Sequence, residues 1–173
     1  MNSAAFVSTF FAIMRRGGVA VPINTKFQKD TLARISEDAE LKFAFVDPLQ
    51  ANQLPSNLDQ RKMVLRDSTS SFVAAMIPQL GQTGLVLYTS GSTGMPKGVL
   101  LSHDSQWAMI DQLKVAMTGM VGIIAAPLYH MNGLLGLWSL FFVAAGLFGA
   151  PSSFFTGGGG CCFYSWAHNN GDV

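Results

Sequence analysis

The sequence has few charged residues and almost no cysteine. Charged side chains make up 12% of its 173 residues, where a globular domain averages about a quarter, and the formal net charge is +1. Because neither sign dominates and the basic residues are scattered, the sequence does not indicate a nucleic-acid partner. The 2 cysteines, Cys161 and Cys162, are adjacent and cannot form a spaced metal or redox pair with each other. We expect a reducing, cytoplasmic setting.

Charge is missing altogether from the stretch between Val115 and Gly171. Within it, Gly133 to Ala150 ("GLLGLWSLFFVAAGLFGA") approaches the length of about 20 apolar residues that spans a bilayer. The alternatives are a membrane span and a helix buried inside a protein. Its glycines and the lack of an aromatic belt or flanking basic residues favour the buried helix. We do not expect membrane association.

Apolar residues near the N-terminus recur at helical spacing. No basic residue precedes the segment "AAFVSTFFAIM", so it does not resemble a secretory signal. The periodicity instead predicts a core-facing helix from Ser3 to Arg16 that stops at Gly17-Gly18.

The remaining pattern alternates between strand-like and helix-like segments, which predicts an α/β fold with a mostly parallel sheet flanked by helices. Strands are predicted at Val19–Ile23, Lys42–Val46, Lys62–Arg66, Gly84–Thr89, Gly98–His103 and Val121–Pro127. Further helices are predicted at Lys29–Asp38 and, capped by Ser102, at Asp104–Met117.

A polar loop, "TSGSTGMPKG", lies between two of these strands. A phosphate chain needs converging NH and OH donors with little side-chain bulk, and this loop supplies hydroxyls, glycines and a lysine. It is not the common P-loop, because Pro96-Lys97-Gly98 leads into a strand rather than a helix. The alternative is an ordinary hairpin loop whose glycine and serine residues only make the turn.

Three segments together resemble the adenylate-forming superfamily, which includes acyl-CoA synthetases and peptide-synthetase adenylation domains. From Tyr88 to His103 the chain carries the pattern Tyr-Thr-Ser-Gly-Ser-Thr-Gly-x-Pro-Lys-Gly-Val followed by Ser-His. "IMRRGGVAVPINT" (Ile13 to Thr25) and "APLYHMNGL" (Ala126 to Leu134) resemble two further segments of these enzymes. The resemblance extends from about Asn2 to Gly149.

The resemblance implies a two-step ligase reaction. A carboxylic acid reacts with ATP to give an acyl-adenylate, and a thiol such as coenzyme A then accepts the acyl group, with Mg²⁺ as the cofactor. The implied phosphate-binding residues are Thr89, Ser90, Gly91, Ser92, Thr93, Gly94 and Lys97. Thr89 is also an implied Mg²⁺ contact.

Two residues are implied to act in catalysis, namely Lys97 and His130. His130, with Tyr129 beside it, would lie where the acyl pocket meets the α-phosphate. On composition alone His130 is a loop histidine without chemistry, and the surrounding motif favours the catalytic interpretation. We expect His103 only to order a turn between a strand and a helix.

The resemblance covers the front part of the large N-terminal domain of such enzymes. We therefore interpret residues 1–150 as a partial AMP-binding domain, and residues 151–173 as a glycine-rich tail that is disordered or frameshifted. The Tyr-Gly-x-Thr-Glu segment, the ribose-binding Asp and the C-terminal Lys of the family do not occur in this sequence. We expect little or no ligase activity from these residues alone.

Three functional hypotheses follow. The first is a fragment of an ATP-dependent acyl-CoA synthetase, which we favour. The second is a module that binds nucleotide, or that associates with a full-length synthetase, without catalysis. The third is a small membrane protein that uses Gly133 to Ala150.

Overall fold

The computed structural model of the protein describes residues 2–47, 51–52, 54–56, 58–62, 76, 78–89, 94–117 and 122–147. These ranges contain two helices, then four strands, then two further helices, and the presence of both helices and sheets confirms the predicted α/β class. In chain order the elements are α1 (Ala4–Arg15), α2 (Lys29–Asp38), β1 (Phe43–Val46), β2 (Asp59–Lys62), β3 (Thr83–Thr89), β4 (Lys97–Ser102), α3 (His103–Met117) and α4 (Met131–Leu147).

Helix α1 begins and ends close to the predicted residues. The Ser3 hydroxyl accepts a hydrogen bond of 3.1 Å from the backbone NH of Phe6, which caps the helix. The chain then leaves the helix through Gly17, whose φ of 69° lies in the left-handed region that glycine adopts without strain. Phe10 and Met14 are buried, so the apolar periodicity does mark the core face.

Within the part of the chain that the structure describes, the strands form two small sheets. β1 and β2 pair in parallel, while β3 and β4 form an antiparallel hairpin. On its other side β3 has a parallel bridge between Leu85 and Ala20, with backbone hydrogen bonds of 2.9 Å from Ala20 to Gly84 and from Val86 to Ala20. Parallel pairing is therefore present as predicted, and the sequence pattern did not reveal that β4 runs antiparallel to β3.

Two predicted strands differ from the structure, and a third lies mostly outside the described residues. Val19–Ile23 contributes only the bridge at Ala20, and residues 122–127 of the predicted strand Val121–Pro127 are not in a strand. Of the predicted strand Lys62–Arg66, only Lys62 is described, at the end of β2. Neither segment is a fully buried strand, since Ile123 is 96% and Val19 44% exposed, so their apolar composition alone indicated neither burial nor pairing.

The core forms where α1, α4 and the hairpin meet. Leu85 of β3, Ile110 of α3, and Leu134 and Trp138 of α4 are each at most 1% exposed. The rings of Phe10 and Trp138 lie 5.9 Å apart. This burial fits the interpretation of the apolar stretch as a core helix, and within the described residues no helix is both long and apolar enough to cross a membrane.

The turn from β4 into α3 depends on two neighbouring residues. The Ser102 hydroxyl accepts a hydrogen bond of 3.1 Å from the NH of Ser105, which confirms the predicted cap. His103 follows, is 5% exposed, and donates its backbone NH to the Gln82 carbonyl at 3.0 Å. Burial lowers the pKa of His103, against an opposing effect of the charge on Asp104. The uncharged ring packs against the backbone of β3 at Gly84.

Replacing Gly84 with alanine should destabilise the fold. A Cβ atom there would lie 2.6 Å from both Cε1 and Nε2 of His103, so the buried ring or the strand must move. We expect a loss of about 1–3 kcal/mol in the free energy of unfolding, measured by urea denaturation.

The matched control is Gly136→Ala in α4, where a Cβ atom would meet Ile124 at an ordinary 3.5 Å. Because alanine is the better helix former, this variant should unfold at the same denaturant concentration as the wild type or a higher one. Equal unfolding curves for Gly84→Ala and the wild type would contradict the packing of His103 against β3.

Candidate functional site

The predicted phosphate-binding motif lies at the end of the β3–β4 hairpin where the loop joins the two strands. The register pairs Tyr88 with Gly98 and Thr89 with Lys97, so Thr89 and Lys97 lie opposite each other where the loop begins and ends. Both are exposed. Among the described residues no ion pair engages Lys97, which leaves its ammonium group available to an anion.

The loop residues themselves are described only in part. Gly94 has a φ of 81°, a conformation that favours glycine, and Met95 and Pro96 follow it into β4. The predicted contacts Ser90, Gly91, Ser92 and Thr93 lie outside the described residues. Their roles therefore stay predictions.

A tyrosine and a glycine account for the close pairing at this end of the hairpin. A Cβ atom on Gly98 would lie 3.1 Å from Cζ of Tyr88 and 3.2 Å from Cγ1 of Val86. Glycine at this position thus leaves room for the phenol ring across the strand pair. The Gly that follows Lys97 in the motif has a packing role as well as any role in the loop.

The Tyr88 hydroxyl reaches beyond the hairpin to α2, where it donates a hydrogen bond to the Asp38 carboxylate. Partial burial of the phenol, the hydrogen bond with Asp38 and the charge of that carboxylate together raise the pKa of Tyr88 to about 12. The phenol therefore stays protonated, and remains a donor, over the range in which proteins are usually active. Asp38 is a site residue that the sequence analysis missed, since nothing in the sequence pairs a helix end with a strand 50 residues later.

His130 lies in a different part of the structure, immediately before α4. Its carbonyl accepts the backbone NH of Gly133 at 3.0 Å and that of Leu134 at 3.1 Å, and its ring nitrogen Nδ1 lies 3.4 Å from the NH of Asn132. His130 is therefore the residue that caps the N-terminus of α4. His130 is exposed, and among the described residues no hydrogen bond joins it to the end of the hairpin.

Gly133 explains how the loop before His130 can fold back on α4. A Cβ atom at this position would lie 2.2 Å from the carbonyl oxygen of Pro127. No side chain fits there, so the glycine allows the Pro127 carbonyl to approach the first turn of the helix and accept the NH of His130 at 3.0 Å. The "YHMNG" segment is thus a tight turn leading into a helix.

A single side chain from the N-terminus holds the same loop from its other side. Asn2 donates its amide NH₂ to the Ala126 carbonyl at 3.0 Å, and its amide oxygen accepts the NH of Leu128 at 2.9 Å. The amide therefore pairs with the backbone on both sides of Pro127. Sequence analysis missed this contact because the two partners are 124 and 126 residues away from Asn2.

Replacing Asn2 with alanine should loosen the loop that carries His130. Two hydrogen bonds are lost from a partly exposed site, so we expect a cost of about 1 kcal/mol and faster amide exchange at Leu128. Hydrogen–deuterium exchange followed by nuclear magnetic resonance measures the exchange rate of this amide. The control Asn24→Ala removes an asparagine whose side chain accepts the nearby NH of Lys26 at 2.9 Å, and it should leave Leu128 unchanged. An unaltered exchange rate at Leu128 in Asn2→Ala would refute this role.

Comparison with known proteins identifies relatives with the same sequence features. The model of the family described as AMP-binding enzyme matches residues 1–154. The chain is 39% identical over 110 residues to the polyketide synthase-nonribosomal peptide synthetase ffsA of Aspergillus flavipes, covering 61% of this chain and 3% of that synthetase. It is 26% identical over 144 residues to a 2-succinylbenzoate–CoA ligase of Bacillus cytotoxicus, covering 77% of this chain and 28% of that ligase.

Among solved structures, the ATP-bound MatB from Rhodopseudomonas palustris has a similar fold. The TM-score is 0.69 at 27% sequence identity, and the aligned region covers 83% of this chain and 32% of MatB. The fold described above is therefore that of the N-terminal domain of adenylate-forming enzymes. The chain spans about a third of the length of MatB and less of the two sequence relatives.

Proposed function

The chain belongs to the AMP-binding enzyme family, and on that basis we propose that it supplies the ATP-phosphate site of a ligase that activates a carboxylic acid. The observation that carries the proposal is the register of the hairpin, which sets Thr89 opposite Lys97 at the two ends of a loop rich in glycine and hydroxyl residues. An exposed cation and a loop with few bulky side chains suit a polyphosphate.

In the proposed reaction the carboxylate attacks the α-phosphate of ATP and pyrophosphate leaves. Negative charge then accumulates on the departing β- and γ-phosphates, and preorganised donors around them lower the barrier. Lys97 would place its ammonium group against these oxygens. The loop residues from Thr89 to Gly94 would donate hydroxyl and backbone NH groups to the same phosphates.

A magnesium ion would supply further charge neutralisation in this reaction. Thr89 is the residue we propose to contact it. Within the described residues no group of three or more His, Cys, Asp and Glu side chains could hold a metal ion. In nucleotide sites Mg²⁺ is commonly bound by phosphate oxygens and water together with one or two protein groups.

We propose that His130 acts beside the carboxylic acid, away from the β- and γ-phosphates that the motif loop would contact. Its Nδ1 lies next to the N-terminus of α4, so Nε2 is the ring atom that could donate to an oxygen of the substrate. Its exposure leaves the ring open to a ligand.

For the acceptor of the acyl group we propose coenzyme A. The coenzyme A ligase of Bacillus cytotoxicus and MatB align with 77% and 83% of this chain, against 61% for the fungal synthetase. The second candidate is an adenylation domain of a peptide synthetase, which the higher identity of 39% to ffsA favours. Both candidates share the adenylate-forming step and differ only in the thiol that follows.

The proposed phosphate site is tested by titrating the protein with ATP·Mg²⁺ in a calorimeter. We expect weak, millimolar binding by the wild type, since the adenine- and ribose-binding motifs of the family do not occur in this sequence. Lys97→Ala should weaken it about tenfold or more, because a hydrogen bond from a charged donor contributes roughly 1.5–3 kcal/mol.

Lys26→Ala is the matched control, since it removes an exposed lysine from the chain before α2. It should bind ATP·Mg²⁺ as the wild type does. The absence of any binding by the wild type, or equal binding by the wild type and Lys97→Ala, would contradict the proposed site.

A further inference from the structure

Helix α2 contacts the hairpin at two points, at Tyr88 in β3 just before the motif loop and at Met95 near the end of that loop. The Tyr88 hydroxyl donates to the Asp38 carboxylate, and Sδ of Met95 accepts a hydrogen bond from Nη1 of Arg34 at 2.9 Å. We call these two contacts the α2 brace. They enclose a cleft of about 410 Å³, whose lining also includes Ile35, Glu37 and Pro96.

The side chains of Arg34 and Asp38 are placed so that both can contact the hairpin from the same helix. Arg34 and Asp38 are four residues apart on a helix, which puts them on one face and one turn apart. The opposite side of α2 is held in the protein by Leu32 and Ser36, both buried. The brace therefore extends from a fixed helix to the loop.

Asp38 occupies a position that the helix itself disfavours. It is the last residue of α2, directly after Glu37, and the last turn contains no basic residue. A carboxylate at a helix C-terminus is repelled by the partial negative charge of the helix dipole. Asp38 therefore reduces the stability of α2, and its contact with Tyr88 offers a reason for its presence other than helix stability.

The end of α2 is also fixed in a strained conformation. Glu40 has a φ of 47°, in the left-handed region that a residue with a side chain rarely adopts. This allows the NH of Glu40 to bond the Glu37 carbonyl at 3.1 Å and the NH of Leu41 to bond the Ser36 carbonyl at 2.9 Å. The helix consequently ends at a defined residue, with Asp38 within reach of Tyr88.

We propose that Arg34 and Asp38 are positioning residues that hold the two ends of the motif loop in place before nucleotide binds. The part of this inference that concerns nucleotide rests on the proposed function. A loop that is already ordered loses less conformational entropy when it binds a ligand, so the brace raises the affinity for the phosphates without touching them. Because the pKa of Tyr88 is about 12, the contact with Asp38 persists through the neutral and mildly alkaline range.

The test compares Tyr88→Phe, Asp38→Ala and Asp38→Asn with the wild type. The first two remove one partner of the hydrogen bond, whereas asparagine keeps an oxygen that can accept it. Glu37→Ala is the matched control, since Glu37 lines the same cleft at the same helix end. The readouts are the backbone order parameters of Thr89, Gly94 and Met95 from ¹⁵N relaxation, the thermal midpoint, and the affinity for ATP·Mg²⁺.

We expect the order parameters of these residues to fall from about 0.85 to below about 0.6 in Tyr88→Phe and Asp38→Ala. The affinity for ATP·Mg²⁺ should fall about fivefold or more in the same two variants. Asp38→Asn should restore both values toward those of the wild type, and Glu37→Ala should change neither. The thermal midpoint of Asp38→Ala should change little, because the lost hydrogen bond with Tyr88 and the removal of a charge that disfavours the helix act in opposite directions.

Unchanged order parameters in Tyr88→Phe and Asp38→Ala would overturn the brace, whatever the protein binds. Reduced order with an unchanged ATP affinity would overturn its role in preorganising the site. If the wild type binds no ATP·Mg²⁺, the proposed function fails, and the order parameters alone decide whether the brace positions the loop.

Discussion

The structure depends most on the pairing of β3 with its neighbours. Residues 84–87 of this strand are buried in succession, and its backbone pairs with Ala20 on one edge and with β4 on the other. The strand is therefore fixed by the core on both faces and by hydrogen bonds on both edges. A polar loop that begins at Thr89, at the end of such a strand, has its ends held in place by packing that does not involve the loop itself.

The two parts of the candidate site are positioned by different elements. Lys97 and Thr89 are set by the hairpin, whereas His130 is set by the first turn of α4 and by the amide of Asn2. Both elements reach the same core through Leu85 and Trp138. The backbone on which Thr89, Lys97 and His130 lie is thus supported by regular elements, which suits a site that must hold its groups in place.

The sequence predicted those features that local chemistry determines. The cap at Ser3, the glycine that ends α1 and the cap at Ser102 follow from residue preferences within a few positions. The motif loop was found because its composition is unusual over a short span. Contacts between distant residues could not be predicted in this way.

Features that depend on partners far along the chain needed the structure. The antiparallel direction of β4 follows from the hairpin, and the close approach of the Pro127 carbonyl to the first turn of α4 depends on Gly133. Asn2 and Asp38 have no recognisable motif, because their roles come from backbone atoms or a phenol that only folding brings near. Sequence periodicity contains no information about such pairings.

The measurement that tests the central claim most directly maps nucleotide contacts by the chemical shifts of backbone amides. If the loop binds the β- and γ-phosphates, ATP·Mg²⁺ should change the amide chemical shifts of Thr89, Gly94 and Lys97. AMP at the same concentration should leave these chemical shifts unchanged. The amides of β1, in the separate sheet, serve as the internal reference. Equal shifts with AMP and ATP at the hairpin end, or shifts confined to other parts of the chain, would contradict the assignment of this loop to the phosphates of ATP.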